Sequence, residues 1–417
     1  MKQLLLSLGF LLLIPPSCFA VAQQKTVLVH YMPWYSANFK AGDFGWHWTM
    51  DRFDPARKKN GLPEIASHFH PLVGPYDSAD RHLLEYHVQL MKLTGIDGVI
   101  IDWYGISRFR DYGMIHRNTR LLIETIQQAG LQFAICYEDQ TLKHRVKAKQ
   151  IPGSDSVRQA IRDLLWLEEN CFSSSNYLRV NGRPALLVFG PQYLGASQWA
   201  ACRAELSSRP LMFGLPHLVE QNRFSGTFGW PPVHGGKTIG PEKWGAYLDQ
   251  LESSSETRSW ITTVFPGFRD IYQQAGVSPS HGTIEHEQGK TFERTLNRAL
   301  KSRSPIIQVA TWNDFGEGTN IEPAVEYGFD YLETLFKKLA SKKGSPIQPQ
   351  GIQKRPPGEI RVEDLQLPLG IYRYRKLTDS GSPLMEALDA ASAELLQGKT
   401  GKATRLLADL KSLKKGG

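Results

Sequence analysis

The sequence predicts an α/β protein, a (β/α)8 TIM barrel with a small C-terminal helical extension. Three observations predict it. Apolar, β-prone runs recur eight times, at 26–35, 98–105, 132–139, 183–190, 210–217, 225–231, 260–270 and 306–314. These runs are continuous rather than alternating, the pattern of parallel strands buried on both faces. Segments of helical period separate most of them, at 80–93, 118–129, 157–170, 199–206, 241–252 and 290–302. Eight such units over about 300 residues fit a closed barrel better than an open doubly wound sheet. No Gly-x-Gly-x-x-Gly follows the first run, and no phosphate loop occurs in the chain. The sixth run, 225–231, has the weakest strand pattern.

Ahead of the barrel, Lys2, the apolar run 4–14 and the Ala20-Val21-Ala22 pattern form an export signal, expected to be cleaved after Ala22. The apolar run is too short to span a bilayer comfortably, so no stable membrane insertion is expected after cleavage. Pro15-Pro16-Ser17 before Cys18 is a poor lipidation context, and an exported, unanchored protein (periplasmic or secreted) is expected. Residues 1–22 are therefore set apart as signal peptide, 23–343 as the barrel, 344–358 as a Pro/Gly-rich linker and 359–417 as the extension. Within the extension, 359–375 is ambiguous and reads as two short strands. Leucine and alanine at helical spacing over 383–396 and 402–413 read as a helical hairpin.

Composition is that of a soluble globular chain, 41% hydrophobic and 22% charged. The formal charge of +8 sits mostly after residue 340, where 14 Lys and Arg face eight Asp and Glu, leaving the barrel near neutral. No basic stripe is interleaved with aromatics, which argues against nucleic acid as a partner. Cys136, Cys171 and Cys202 allow at most one disulfide and have no metal-ligand spacing. His68 and His70 lack an assured third ligand. No cofactor or metal is expected. Ten Trp, fifteen Tyr and nineteen Phe offer flat stacking surfaces suited to a sugar, although aromatics also fill cores.

Chemistry gathers where the runs end. The first ends in Tyr31, Trp34 and Tyr35, the second in Asp102, Trp103 and Tyr104, the third in Tyr137, Glu138 and Asp139. The fifth ends near His217, the sixth at Trp230, the seventh at Arg269 and Asp270. The eighth breaks into Trp312, Asn313, Asp314, Phe315, Gly316 and Glu317, with Glu322 just beyond. In a barrel these ends converge on the face that carries active sites. The long first connection adds His47 between Trp46 and Trp48 as a sugar-binding wall, and His281, Glu285 and His286, in the loop after the seventh run, either line the cleft rim or hold no role. Asp314 and Glu317 lie three residues apart on a short loop, so that both carboxyls can project into one cavity. A protonated and an ionised carboxyl group are what glycoside hydrolysis needs. The alternative is that the acids cap the turn or the following helix.

The ordered set HYMPWY, GPYDSAD, TGIDGVIIDWYG, CYED and WNDFGEG-x-x-IEP resembles glycoside hydrolase family 99, the endo-α-mannosidases and endo-α-mannanases, over residues 27–331. The resemblance implies a (β/α)8 barrel, an oligo- or polysaccharide substrate and a retaining mechanism. In that mechanism one carboxylate deprotonates the sugar's own 2-hydroxyl while a second acts as acid and then base. Glu317 matches the acid/base of the family's Asn-Glu-Trp-x-Glu motif. The first acid falls on Asp314, one methylene shorter, and the tryptophan on Phe315. The N-D-F-G-E form is also similar to glycoside hydrolase family 71, the α-1,3-glucanases. The resemblance further implies Trp103 as a stacking surface, Glu138 as a holder of sugar hydroxyls, and Tyr31 or Tyr35 near the reacting ring. A non-catalytic glycan-binding barrel, disarmed by the shorter Asp314, is the alternative from another class.

Overall fold

Each of the eight runs contributes one strand of a closed parallel barrel. The structure, a computed structural model, describes residues 25–253, 259–340 and 360–413; the export segment 1–22 and the linker 344–358 lie outside them. The barrel strands are β1 (Thr26–Tyr31), β2 (Gly98–Trp103), β3 (Gln132–Tyr137), β4 (Arg183–Val188), β5 (Leu211–Gly214), β6 (Gly226–Phe228), β7 (Ser259–Val264) and β8 (Ile306–Val309). Every neighbour pairs in parallel, and β8 returns to β1 with Thr26 opposite Ile306, which closes the cylinder.

Strand parity sorts the side chains into two cores. Leu28, Ile100, Ala134, Cys136, Leu187 and Phe213 pack inside the barrel. Val29, Tyr31, Ile101, Trp103, Ile135 and Tyr137 pack outward against the helical layer. That layer includes α1 (Arg81–Thr94), α2 (Tyr112–Gln128), α3 (Ser156–Leu167), α4 (Ala196–Ala204), α5 (Pro241–Ser253), α6 (Lys290–Lys301) and α7 (Asp330–Ala340). The boundaries of α1 follow from its sequence. The Asp80 side chain accepts from His82 N–H at the start, and Gly95 closes the end at φ 98°. The helix α7 has no counterpart among the helical segments read from sequence.

The sixth strand is short: Gly226 and Thr227 pair on both sides, and Phe228 pairs with β7 alone. A Cβ on Gly226 would stand 2.5 Å from the Ser259 carbonyl oxygen and 2.6 Å from the Phe213 ring, so the close strand approach needs glycine there. The crossover before it carries only the four-residue helix Pro216–Val219, which leaves little periodicity to read.

The extension differs from its sequence reading in one element. In place of two strands, 362–366 forms a 3-10 turn and α8 (Leu367–Leu377) follows, with Pro368 in the first turn, where its missing N–H costs nothing. Ile371, Tyr372 and Tyr374 give the stretch a β-like composition. They form a helix because one face packs on the barrel: the Tyr372 and Tyr86 rings lie 5.6 Å apart. The hairpin of α9 (Pro383–Leu396) and α10 (Gly401–Leu413) forms as read from sequence. Helix α1 is consequently buried on two sides. Gln89 donates to the Ser392 hydroxyl at 2.5 Å, and buried Arg375 pairs with both Glu85 and Asp389.

Candidate active site

The C-terminal mouth of the barrel opens into a cleft of about 740 Å³. The turn after β8 forms its floor. Asp314 N–H donates to Thr311 Oγ1 at 2.8 Å, and Asp314 Oδ1 accepts from Glu317 N–H at 3.0 Å, folding the two acids onto one side of the turn. Asp314 is buried, while Glu317 stays partly accessible from the cleft. Trp230 Nε1–H donates to Glu317 Oε2 at 3.2 Å.

Asn313 fixes that turn to the end of β1. Its Oδ1 accepts from Met32 N–H at 2.8 Å, and its Nδ2 donates to the Met32 carbonyl at 3.0 Å. The Tyr35 hydroxyl donates to the Asn313 carbonyl and accepts from Phe315 N–H. Behind it, the Tyr76 hydroxyl donates to Glu322 Oε2 at 2.8 Å, and His87 Nε2 approaches the other Glu322 oxygen to 3.2 Å. The Tyr31 hydroxyl completes the chain 2.9 Å from His87 Nδ1. Asn313, Glu322 and Tyr31 are thus fully buried supports of the floor rather than sugar contacts, and Trp312 is enclosed with them.

The walls combine rings and polar groups. Trp34 stacks on His47 with ring centroids 4.3 Å apart and planes 6° from parallel, and Asp111 holds His47 Nε2 at 3.3 Å. Tyr35, Asp102, Tyr104, Glu138, His217 and Trp230 also line the cleft. Three further residues named from sequence do not. Trp103 has the outward parity of β2: it is fully buried, donates its indole N–H to His116 Nδ1 and lies against Trp166. The Arg269 side chain is exposed outside the cleft, while its backbone N–H donates to the Glu317 carbonyl at 2.8 Å. Asp270 Oδ2 accepts from Ser280 Oγ and His281 N–H and so shapes a loop.

Other lining residues went unread. His30 shares the inward parity of Leu28 on β1, a signal present in the sequence; Gln140 and Tyr272 open the short helices Gln140–Lys147 and Tyr272–Ala275 and Gln192 lies on a loop, in connections whose course the sequence does not disclose. Trp46, beside His47, and His281, of the loop whose sequence offers it to the cleft rim or to no role, both line the cleft.

Electrostatics set this cleft apart. It is lined by the carboxyl groups of Asp102, Glu138, Asp314 and Glu317, and no Lys or Arg side chain lines it among the described residues. Burial raises Asp314 to about 7, against the pull of the Glu317 and Gly316 N–H groups. Burial, and then the charge of Asp314, hold Glu317 well above the usual carboxylic range. Burial likewise raises Glu138 to about 7, opposed by its bond from Gln140, and raises Asp102 strongly. Such a set holds protons near neutrality, as acid/base chemistry requires.

Comparisons with known proteins agree with this architecture. No family model matches the chain. It is 23% identical over 329 residues to the human glycoprotein endo-alpha-1,2-mannosidase-like protein, covering 71% of this chain and 68% of the relative. It is 24% identical over 327 residues to the rat glycoprotein endo-alpha-1,2-mannosidase, covering 71% and 67%. Among solved structures, the GH99 endo-alpha-mannosidase of Bacteroides thetaiotaomicron in complex with bis-tris-propane superposes with a TM-score of 0.57 at 19% identity, over 76% of this chain and 98% of that one. A glycoside hydrolase-like protein superposes with a TM-score of 0.52 at 15% identity, over 79% and 97%. The fold is thus the one these barrels share, and the chain is family 99-like.

Proposed function

We propose that this family 99-like glycoside hydrolase cleaves α-linked glycans, acting within chains of α-mannosides. The observation that carries the reading is the turn after β8, where Asp314 and Glu317 meet on the floor of an aromatic-walled cleft with both carboxyls held above their ordinary range. Glu317, protonated, gives its proton to the glycosidic oxygen as the anomeric C–O bond breaks. Asp314, ionised, takes the proton of the attacking hydroxyl, which on the family resemblance is the sugar's own 2-hydroxyl. As water opens the intermediate, Glu317, now ionised, takes a proton from the water and Asp314 returns its proton to the 2-oxygen. Trp34 with His47 on one wall and Trp230 on another offer stacking faces for the rings. Glu138, Tyr104 and His217 offer partners for sugar hydroxyls. The walls are neutral or acidic, which suits an uncharged glycan.

Export belongs to the same proposal and rests on Lys2, the run 4–14 and Ala20-Val21-Ala22. No helix among the described residues is long and apolar enough to cross a membrane. The experiment for the substrate is a hydrolysis panel of α-mannans, high-mannose glycans and α-1,3-glucan. The expected result is internal cleavage of an α-mannoside. Cleavage of α-1,3-glucan alone would move the reading to the family 71 chemistry that the N-D-F-G-E motif resembles. Binding without product on every member would leave a glycan-binding barrel.

A further inference from the structure

His30, Asp102 and Cys136 stand on the adjacent strands β1, β2 and β3, all with inward parity, and His30 and Asp102 line the cleft. One ligand-type atom from each lies within 4.8 Å of the others, and all three residues are buried. A point about 2.8 Å or less from all three atoms therefore exists, against roughly 2.0–2.3 Å in a formed zinc site. Closing that difference needs each side chain to move by about half an ångström or a little more.

Three of the polar atoms here have no hydrogen-bond partner, while the Cys136 sulfur meets the Phe189 backbone N–H. Both ring nitrogens of His30, which is fully buried, and Oδ2 of Asp102, 2% exposed, make no hydrogen bond. A buried polar group left unpaired costs on the order of 1–3 kcal/mol. Gln308 lies beside the His30 ring. Its Nε2 is committed to the Gly229 carbonyl at 2.9 Å, which fixes the amide, and its Oε1 is also unpartnered and close to the ring without closing a hydrogen bond of ordinary geometry. A small shift that closes the bond from the ring to Gln308 Oε1 would give the arrangement metal-binding histidines use. One nitrogen faces the ion, and the other gives its N–H to a carbonyl oxygen that fixes the tautomer.

Charge points the same way. The acidic groups Asp102 and Glu138 are buried and line the cleft, and no Lys or Arg lines it among the described residues. A nitrogen, a carboxylate oxygen and a sulfur form a donor set of borderline softness, suited to Zn²⁺ rather than Mg²⁺ or Ca²⁺. We propose that His30, Asp102 and Cys136 bind a first-row divalent cation of the zinc type, with Gln308 as the partner that orients His30. The Cys136 thiol gives up its proton to solvent as the ion binds. Because His30 and Asp102 line the cleft, a fourth position open to it would admit water or a sugar hydroxyl. The site shares no ligand with the acid pair Asp314 and Glu317, although their charges reach Asp102, and its test does not depend on activity.

The full chain is stripped with a chelator and titrated with Co²⁺, then with Zn²⁺, following bound metal and the near-ultraviolet absorption that only a thiolate–cobalt bond produces. The expected result is one equivalent of Co²⁺, a charge-transfer band, and displacement of Co²⁺ by Zn²⁺. Cys136→Ser, nearly isosteric, loses the band; Cys171→Ser, which removes a buried thiol elsewhere, keeps it. His30→Gln loses uptake as a second, independent variant, with circular dichroism confirming that each variant is folded. Gln308→Ala keeps the band and weakens binding about 10–100-fold. The proposal is overturned if the wild-type chain takes up no stoichiometric metal, as it would were the cluster bridged by water alone. It is equally overturned if the band survives Cys136→Ser.

Discussion

Glu317→Gln lowers turnover of the α-linked substrate by about 10²–10⁴-fold or more, the loss expected when a positioned acid can no longer give up its proton. In free energy that is about 2.7–5.4 kcal/mol of transition-state stabilisation. The substitution keeps the size of the side chain and its acceptor for Trp230 Nε1–H, so the cleft should keep its shape and its affinity for substrate. The pH profile separates chemistry from packing. The active form needs Asp314 ionised and Glu317 protonated. Asp314 titrates at about 7, so activity rises as pH increases through that region; Glu317, held up by burial and by the Asp314 charge, sets the fall at higher pH. Two such close groups titrate as a pair, and the limbs belong to the pair. In Glu317→Gln the alkaline limb should vanish from whatever activity remains. Near wild-type turnover in this variant would remove Glu317 from the acid role.

The second large effect falls on Asp314. Asparagine keeps the oxygen that accepts Glu317 N–H at 3.0 Å, so the turn is expected to persist while the base is lost. Turnover should drop by a similar factor of about 10²–10⁴. Asp314→Glu restores the acid found in the family 99 motif and should retain far more activity than Asp314→Asn, because a carboxylate remains in the turn. Should Asp314→Asn stay active while Glu138→Gln is dead, the base would be Glu138, the other carboxyl on the cleft raised to about 7.

The eight-fold repeat was legible because buried parallel strands must be continuous apolar runs, and all eight proved to be barrel strands. The placement of Asp314 and Glu317 was legible for the same reason: a strand leaving the core exposes its last residues at the mouth. What misled was parity. Asp102, Trp103 and Tyr104 are adjacent in sequence, yet the pleat turns Asp102 into the barrel and Trp103 against His116 and Trp166. Counting alternate residues from Leu28 and Ile100 would have added His30 and set aside Tyr31 and Trp103. The support beneath the acids was not readable. Asn313 and Glu322 resemble site residues in the motif, and only the tertiary meeting with Met32, Tyr76 and His87 gives them structural roles. In the extension, the β-like stretch that forms α8 is helical because α1 offers it an apolar face, a fact held in another part of the chain.

A crystal structure of Glu317→Gln soaked with an α-mannan oligosaccharide tests the central claim most directly. The account predicts that the oligosaccharide spans the cleft with a glycosidic oxygen within about 2.6–3.2 Å of the substituted side chain's amide and a 2-hydroxyl or water facing Asp314. An oligosaccharide seated elsewhere, or one whose reacting carbon lies beyond the reach of both side chains, would contradict it.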